Sequence, residues 1–141
     1  MTAIDIQVTF DTRDPHAEAR FWAEALGYEK EDHSAIVRGL VDAGHLPEAA
    51  TIEDDGKLAF REVAACRDPE GTRARLFFQA VPEGKTVKNR VHLDLHVGSD
   101  RAEGEAKRLI DLGASEAWRT TDRGGLCITL RDPEGNEFCV E

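Results

Sequence analysis

No run of apolar residues in this chain approaches the roughly 18 that a membrane-spanning helix needs. The opening, Met1-Thr-Ala-Ile-Asp-Ile, has neither the basic stretch nor the apolar core of a secretory signal. Cysteine is scarce: Cys66, Cys127 and Cys139 are an odd number with no Cys-x-x-Cys spacing. That argues against a disulfide framework or a zinc knuckle and for reduced residues on strands. A cytoplasmic location is expected. Basic charge is in deficit, 18 Lys and Arg against 28 Asp and Glu, for a net charge of −10. Nucleic acid and anionic membranes reward the opposite sign, so neither is expected as a partner. The acidity suits a cationic small ligand, and it also suits plain solubility. There is no phosphate-binding glycine loop, no Gly-x-Ser-x-Gly and no Cys–His pair at a recognised spacing.

What is present is a repeat. Arg-Asp-Pro-Glu-Gly stands at Arg67–Gly71 and again at Arg131–Gly135, 64 positions later. Each copy lies between strand-like runs. Asp, Pro and Gly at those offsets favour a type I turn, because Pro presets φ and Asp bonds its own turn backbone. Leu58–Cys66 and Arg75–Gln79 flank the first copy; Leu126–Leu130 and Asn136–Glu141 flank the second.

Ile4–Thr12 alternates, with Ile6, Val8 and Phe10 on one face and Gln7, Thr9 and Asp11 on the other, which predicts a half-buried strand. Asp14-Pro15 opens a helix with Phe21, Trp22, Ala25 and Leu26 on its apolar stripe and Gly27 as its stop. Tyr28–Glu31 reads as a short strand. His33–Gly56 is irregular, with helical spacing at Ile36, Val37, Leu40 and Val41 and a loop from Pro47 to Gly56. Residues 83–90 read as a polar linker. Val91–Val97 then alternates, with His92, Asp94 and His96 on one face. Ser99 or Asp100 is the expected cap of a helix ending at Gly113, and Ala114–Thr120 is the next strand. Gln7 and His92 lie 85 positions apart and the two turns 64, a difference of 21 that makes residues 33–56 an insertion in the first half.

Two strand-helix-three-strand modules, each closed by Asp-Pro-Glu-Gly and a final strand, resemble the vicinal oxygen chelate superfamily. That group includes glyoxalase I, bleomycin-resistance proteins and extradiol dioxygenases. The similarity is carried by Phe10–Gly27, Lys85–Val97 and Asp132–Val140, and it is to glyoxalase-like domain proteins in particular. The resemblance implies an α+β fold: two tandem βαβββ modules, residues 1–82 and 91–141 of a single domain, whose curved mixed sheets form a cup with helices outside. It also implies a homodimer and a small organic ligand held in the cup between modules.

In such proteins a divalent metal (Zn, Ni, Mn or Fe) is held by residues of the first and last strands. Carried over by position, Gln7 and His92 take the first-strand places, Gln79 and Cys139 the last-strand places. Cys139 stands where glutamate is expected, and Glu141 lies two residues on, facing the same way. The ligand set is therefore short of carboxylate, which weighs against a metal; Gln7, His92 and Glu141 are its candidates. His92 and Asp94 are the catalytic candidates, as an imidazole oriented or charged by a neighbouring carboxylate. The ligand-binding set is Gln7, Thr9, Gln79, His92, Asp94, His96 and Trp118, although Trp118 reads equally as core. His16, His33 and His45 read as surface residues. Lys85, Lys88 and Asn89 read as a hinge. Two functions follow: a metal-assisted lyase or isomerase, or a non-catalytic binding or resistance protein that sequesters a cationic antibiotic or metabolite. The incomplete ligand set favours the second.

Overall fold

Strand β1 (Gln7–Thr12) leads directly into helix α1 (Pro15–Leu26). The Asp14 carboxylate accepts from the backbone N–H of His16 and of Ala17, at 3.1 and 3.0 Å. It satisfies two of the donors that a helix start leaves open, while Pro15 lacks one to satisfy. Gly27, at φ 69°, ends the helix in a left-handed conformation that costs glycine little. The computed structural model describes residues 1–141, and the chain falls into two units, Met1–Pro82 and Glu83–Glu141. No helix is long and apolar enough to cross a membrane.

The first unit continues with β2 (Glu29–Lys30), α2 (Ser34–Asp42), a 3-10 turn at Glu48–Ala50, and β3 (Thr51–Asp54), β4 (Lys57–Phe60), β5 (Val63–Arg67) and β6 (Arg75–Ala80). Its main sheet has the order β1-β6-β5-β2, with β1 and β6 parallel and the other pairs antiparallel. Helix α1 packs on β5 and β6. Trp22 and Phe78 are fully buried there, and Phe10 meets both rings at 5.4 and 5.2 Å. Each fully buried aromatic of this kind contributes up to about 3 kcal/mol.

The second unit holds β7 (Asp94–Leu95), α3 (Ala102–Leu112), β8 (Ser115–Thr120), β9 (Cys127–Arg131) and β10 (Glu137–Val140). Its order, β7-β10-β9-β8, reproduces that of the first sheet, again with only the first pair parallel. Helix α3 packs on β9 and β10, where Leu109, Ile128, Leu130, Phe138 and Val140 are all buried. The architecture is the α+β one expected.

Both pentapeptide turns close on their own aspartate. Asp68 accepts from the N–H of Glu70, Thr72 and Arg73 and from the Thr72 hydroxyl. Asp132 accepts from the N–H of Glu134 and Asn136 and from the Asn136 amide. Burial alone would raise the Asp68 carboxyl, but these donors outweigh it and hold it at about 2.

Several local expectations are corrected. Leu58–Cys66 is two strands, not one. The chain turns at Arg61, whose side chain bonds the carbonyls of Ala49 and Thr51 at 2.8 and 2.9 Å, so β4 pairs with β3 and β5 with β6. The loop read before Gly56 contains β3, joined to β4 by Asp55-Gly56 with φ of 48° and 73°. Positive φ at both positions is the type I′ hairpin turn, which Asp-Gly favours. Helix α3 is capped at Arg101, not at Ser99 or Asp100; Gly98 accepts the first turn's bonds from Arg101 and Ala102. Ile6 and Val91 do not join their buried faces, being 71% and 84% exposed, because the paired strands begin after them. His16 is buried, with Nε2 2.7 Å from the Phe60 carbonyl, and His33 packs against the Phe60 ring. Neither is a surface residue.

Candidate functional site

The β9–β10 hairpin sets the geometry. Its register pairs Arg131 with Glu137 and Thr129 with Cys139, so alternate residues on each strand face one side. Phe138 and Val140 point into the core under α3; Glu137, Cys139 and Glu141 point the other way. Strand β7 lies parallel to β10 on its free side, with Asp94 in register with Cys139. Backbone bonds extend that pairing: Cys139 N–H to the Leu93 carbonyl at 2.9 Å and Glu141 N–H to Leu95 at 3.0 Å. The row His92, Asp94, His96 is exposed while Leu93, Leu95 and Val97 are half-buried.

These strands wall a cavity of about 710 Å³ within the second unit. His92, Asp94, Cys139 and Glu141 line one part of it, and Cys127 and Thr129 stand beside them on β9. Trp118 and Thr120 of β8 line another, with Lys88 and the Asp122–Leu126 loop. Trp118 is 42% exposed, so it is a wall residue and not core, and Lys88 Nζ lies 5.8 Å over its ring.

His92 Nδ1 is 3.0 Å from Asp94 Oδ1, and one donor atom each from His92, Asp94 and Cys139 lie within 4.8 Å of one another. An ion bound at about 2.0–2.3 Å by nitrogen, oxygen and sulfur needs donors about 3.3–3.8 Å apart, so the side chains would close by about 1 Å on binding it. The set therefore fits a divalent ion, and imidazole with thiolate and carboxylate suits one of borderline softness such as zinc. Thr129 Oγ1 lies 3.4 Å from the Cys139 sulfur. Burial, a hydrogen bond with Cys139 and the nearby negative charges of Glu141 and Asp94 push the Cys127 thiol up to about 11.

The linker is part of this site's frame. Glu137 is buried, with the Lys85 ammonium at 3.0 Å and the Asn89 N–H on its second contact at 3.0 Å. Burial alone would raise its carboxyl; the Asn89 N–H and the Lys85 charge outweigh it and lower it. Asn89 also donates to the Asn136 side chain at 3.2 Å. The stretch read as a hinge is thus tied to β10.

Of the expected site residues, His92, Asp94, Trp118 and Glu141 meet around one cavity. His96 pairs with Glu141 at 3.1 Å, but its side chain is 77% exposed and it does not line the cavity. Gln7, Thr9 and Gln79 belong to the first unit. Gln7 Oε1 accepts from Arg75 at 2.7 Å and Gln79 donates to Asp11 at 2.8 Å. Register also moves one assignment. Ala65 pairs with Phe77 as Thr129 pairs with Cys139, so Phe77, not Gln79, is the first-unit counterpart of Cys139. Residue-by-residue reading of the sequence missed Lys88, Cys127, Thr129 and Glu137 as site residues. Folding the sequence back about Asp132–Gly135 would have found the last three, since 137, 139 and 141 face 131, 129 and 127.

The family model of the glyoxalase-like domain matches residues 7–141. No curated protein matches the sequence. Among solved structures, the fosfomycin resistance protein FosX from Mesorhizobium loti is similar at a TM-score of 0.66 and 13% identity, covering 100% of this chain and 92% of its own. The Listeria monocytogenes FosX, in complex with Mn(II) and 1S,2S-dihydroxypropylphosphonic acid, is similar at 0.62 and 10%, covering 100% and 90%. The bleomycin-binding protein of Streptomyces verticillus, in complex with copper(II)-bleomycin, is similar at 0.56 and 15%, covering 99% and 96%. Identities this low speak for the fold alone. With its final-strand pairing, its repeated turn and a match over nearly its whole length, the chain belongs to the glyoxalase-like domain family.

Proposed function

We propose that the second unit binds a small organic molecule in the 710 Å³ cavity beside a divalent metal, and acts on it as a lyase or isomerase. The observation that carries this reading is the convergence of His92, Asp94 and Cys139 on one wall of that cavity. Those three residues would hold the metal, which supplies a Lewis acid to polarise an oxygen of the bound molecule. Asp94 Oδ1 lies 3.0 Å from His92 Nδ1, so the two atoms would face the one ion side by side. Trp118 offers a flat apolar face for a planar part of the ligand. Glu141, next along the Cys139 face, is the carboxylate that would take a proton from a carbon of the bound molecule and return it to a neighbouring carbon, isomerising it.

Elemental analysis of protein purified without chelator, beside His92→Ala, tests this. Near-stoichiometric metal lost in the variant is expected. Metal-free wild-type protein would overturn it.

One feature favours a second reading, a non-catalytic binder of cationic compounds. Asp94, Asp122, Glu137 and Glu141 line the cavity against Lys88 and Arg123, and Glu137 is already neutralised by Lys85. Chelator-treated protein should then be stabilised by planar cations and not by their neutral analogues, and Trp118→Ala should abolish the shift.

A further inference from the structure

Cys127 is outside the three-residue cluster, yet it lines the same cavity as Cys139 on the neighbouring strand. The two are diagonal neighbours on antiparallel strands, since Cys139 pairs with Thr129 and Cys127 stands two residues before Thr129 on β9. Diagonal partners are about 7–8 Å apart between α-carbons. A disulfide needs less, usually at most about 6.8 Å. Two thiolates on one tetrahedral ion, at about 2.3 Å from it, sit nearly 4 Å apart, which diagonal side chains reach. The pair is therefore built to share an ion and not to cross-link.

Strand alternation puts Cys127 on the same face of β9 as Thr129, the partner of Cys139, and it lines the cavity with Asp94 and Glu141. It is only half-buried, so an ion entering from the cavity reaches it.

We propose that Cys127 is a metal ligand and that, with Cys139, His92 and Asp94, it makes a two-thiolate site selective for thiophilic ions of the zinc and cadmium class over manganese and magnesium. This rests on the metal reading above and adds to it a ligand and a metal class. All four ligands come from the second unit.

The test titrates the full chain with Co(II) and follows thiolate-to-cobalt charge-transfer absorption, then displaces cobalt with Zn(II) and Mn(II). Wild-type protein should show the intensity of two thiolates, Zn(II) should displace cobalt and Mn(II) should not. Cys127→Ser should halve the band and weaken Zn(II) at least tenfold; Cys66→Ser, whose sulfur is buried in the first unit, should change neither. An undiminished band in Cys127→Ser, or Mn(II) competing with Zn(II), overturns the two-thiolate site while leaving a metal site standing. Wild-type protein that takes up neither Co(II) nor Zn(II) overturns both readings. Independently of any variant, Zn(II) should protect Cys127 and Cys139 together from alkylation, read by mass spectrometry. Protection of Cys139 alone also overturns the proposal.

Discussion

Asp94 and Cys139 are register partners across the parallel β7–β10 pair, and in the first unit the corresponding partners are Thr9 and Phe77. The same strand order thus carries a carboxylate beside a thiol in one half, and a hydroxyl beside an aromatic ring in the other. Asp94→Asn keeps the shape and removes the charge. It should lower metal affinity about 10–100-fold with little change in melting temperature. Calorimetric titration checks this, and unaltered affinity would remove Asp94 from the site.

Trp118→Ala should separate binding from stability. The ring is 42% exposed, so its loss should cost stability less than about 1 kcal/mol. Ligand affinity should fall severalfold, because the flat wall of the cavity and its contact with Lys88 go together. Equal losses in denaturant stability and in binding would return Trp118 to the core.

Phe78→Ala, by contrast, empties the centre of the first unit. Phe78 is fully buried against Phe10, and such truncations cost about 3–5 kcal/mol. Urea unfolding monitored through Trp22 should report that loss.

Glu137→Ala should loosen the linker more than it weakens the strand. It leaves the Lys85 ammonium and the Asn89 N–H without their shared acceptor, at a cost of about 1–3 kcal/mol. Hydrogen exchange at residues 85–89 should rise while β9 stays protected. Unchanged exchange in that stretch would mean the linker is held by something else.

Stability should fall in acid within a definite window. Burial alone would raise Asp54, yet Lys30 and Arg20 hold it at about 2, as the turn donors hold Asp68. An unfolded aspartate titrates near 4. Both folded values lie below it, so the stabilisation is complete above about pH 4 and is lost as the pH falls towards 2. Asp54→Asn should make that slope shallower in chemical denaturation; an unchanged slope would show that Asp54 contributes nothing to it.

Much of this was legible before any coordinates. The Asp14-Pro15 start, the Gly27 stop and the repeated turn are local devices whose donors and acceptors lie within a few residues, so sequence alone specifies them. His92 and Asp94 were legible for the same reason, as alternate residues of one strand. What escaped was set by partners distant in sequence. His16 is buried because the Phe60 carbonyl, 44 positions away, meets its ring. Glu137 matters because Lys85 reaches it from 52 positions away. Gln79 takes the last-strand place only by resemblance, and the β5–β6 register gives the counterpart of Cys139 to Phe77.

The self-sufficiency of the Asp132 turn has a kinetic consequence. Every bond that closes it lies within five residues, so the β9–β10 hairpin closes through a short loop and should be among the early events of folding. Cys127, Thr129 and Cys139 would then be brought side by side by the hairpin alone. Asp94 lies 45 positions before its partner Cys139 and must arrive by a long closure. The sulfur half of the proposed metal site should form before its imidazole half, and a metal present during synthesis would meet a nascent hairpin before a finished pocket.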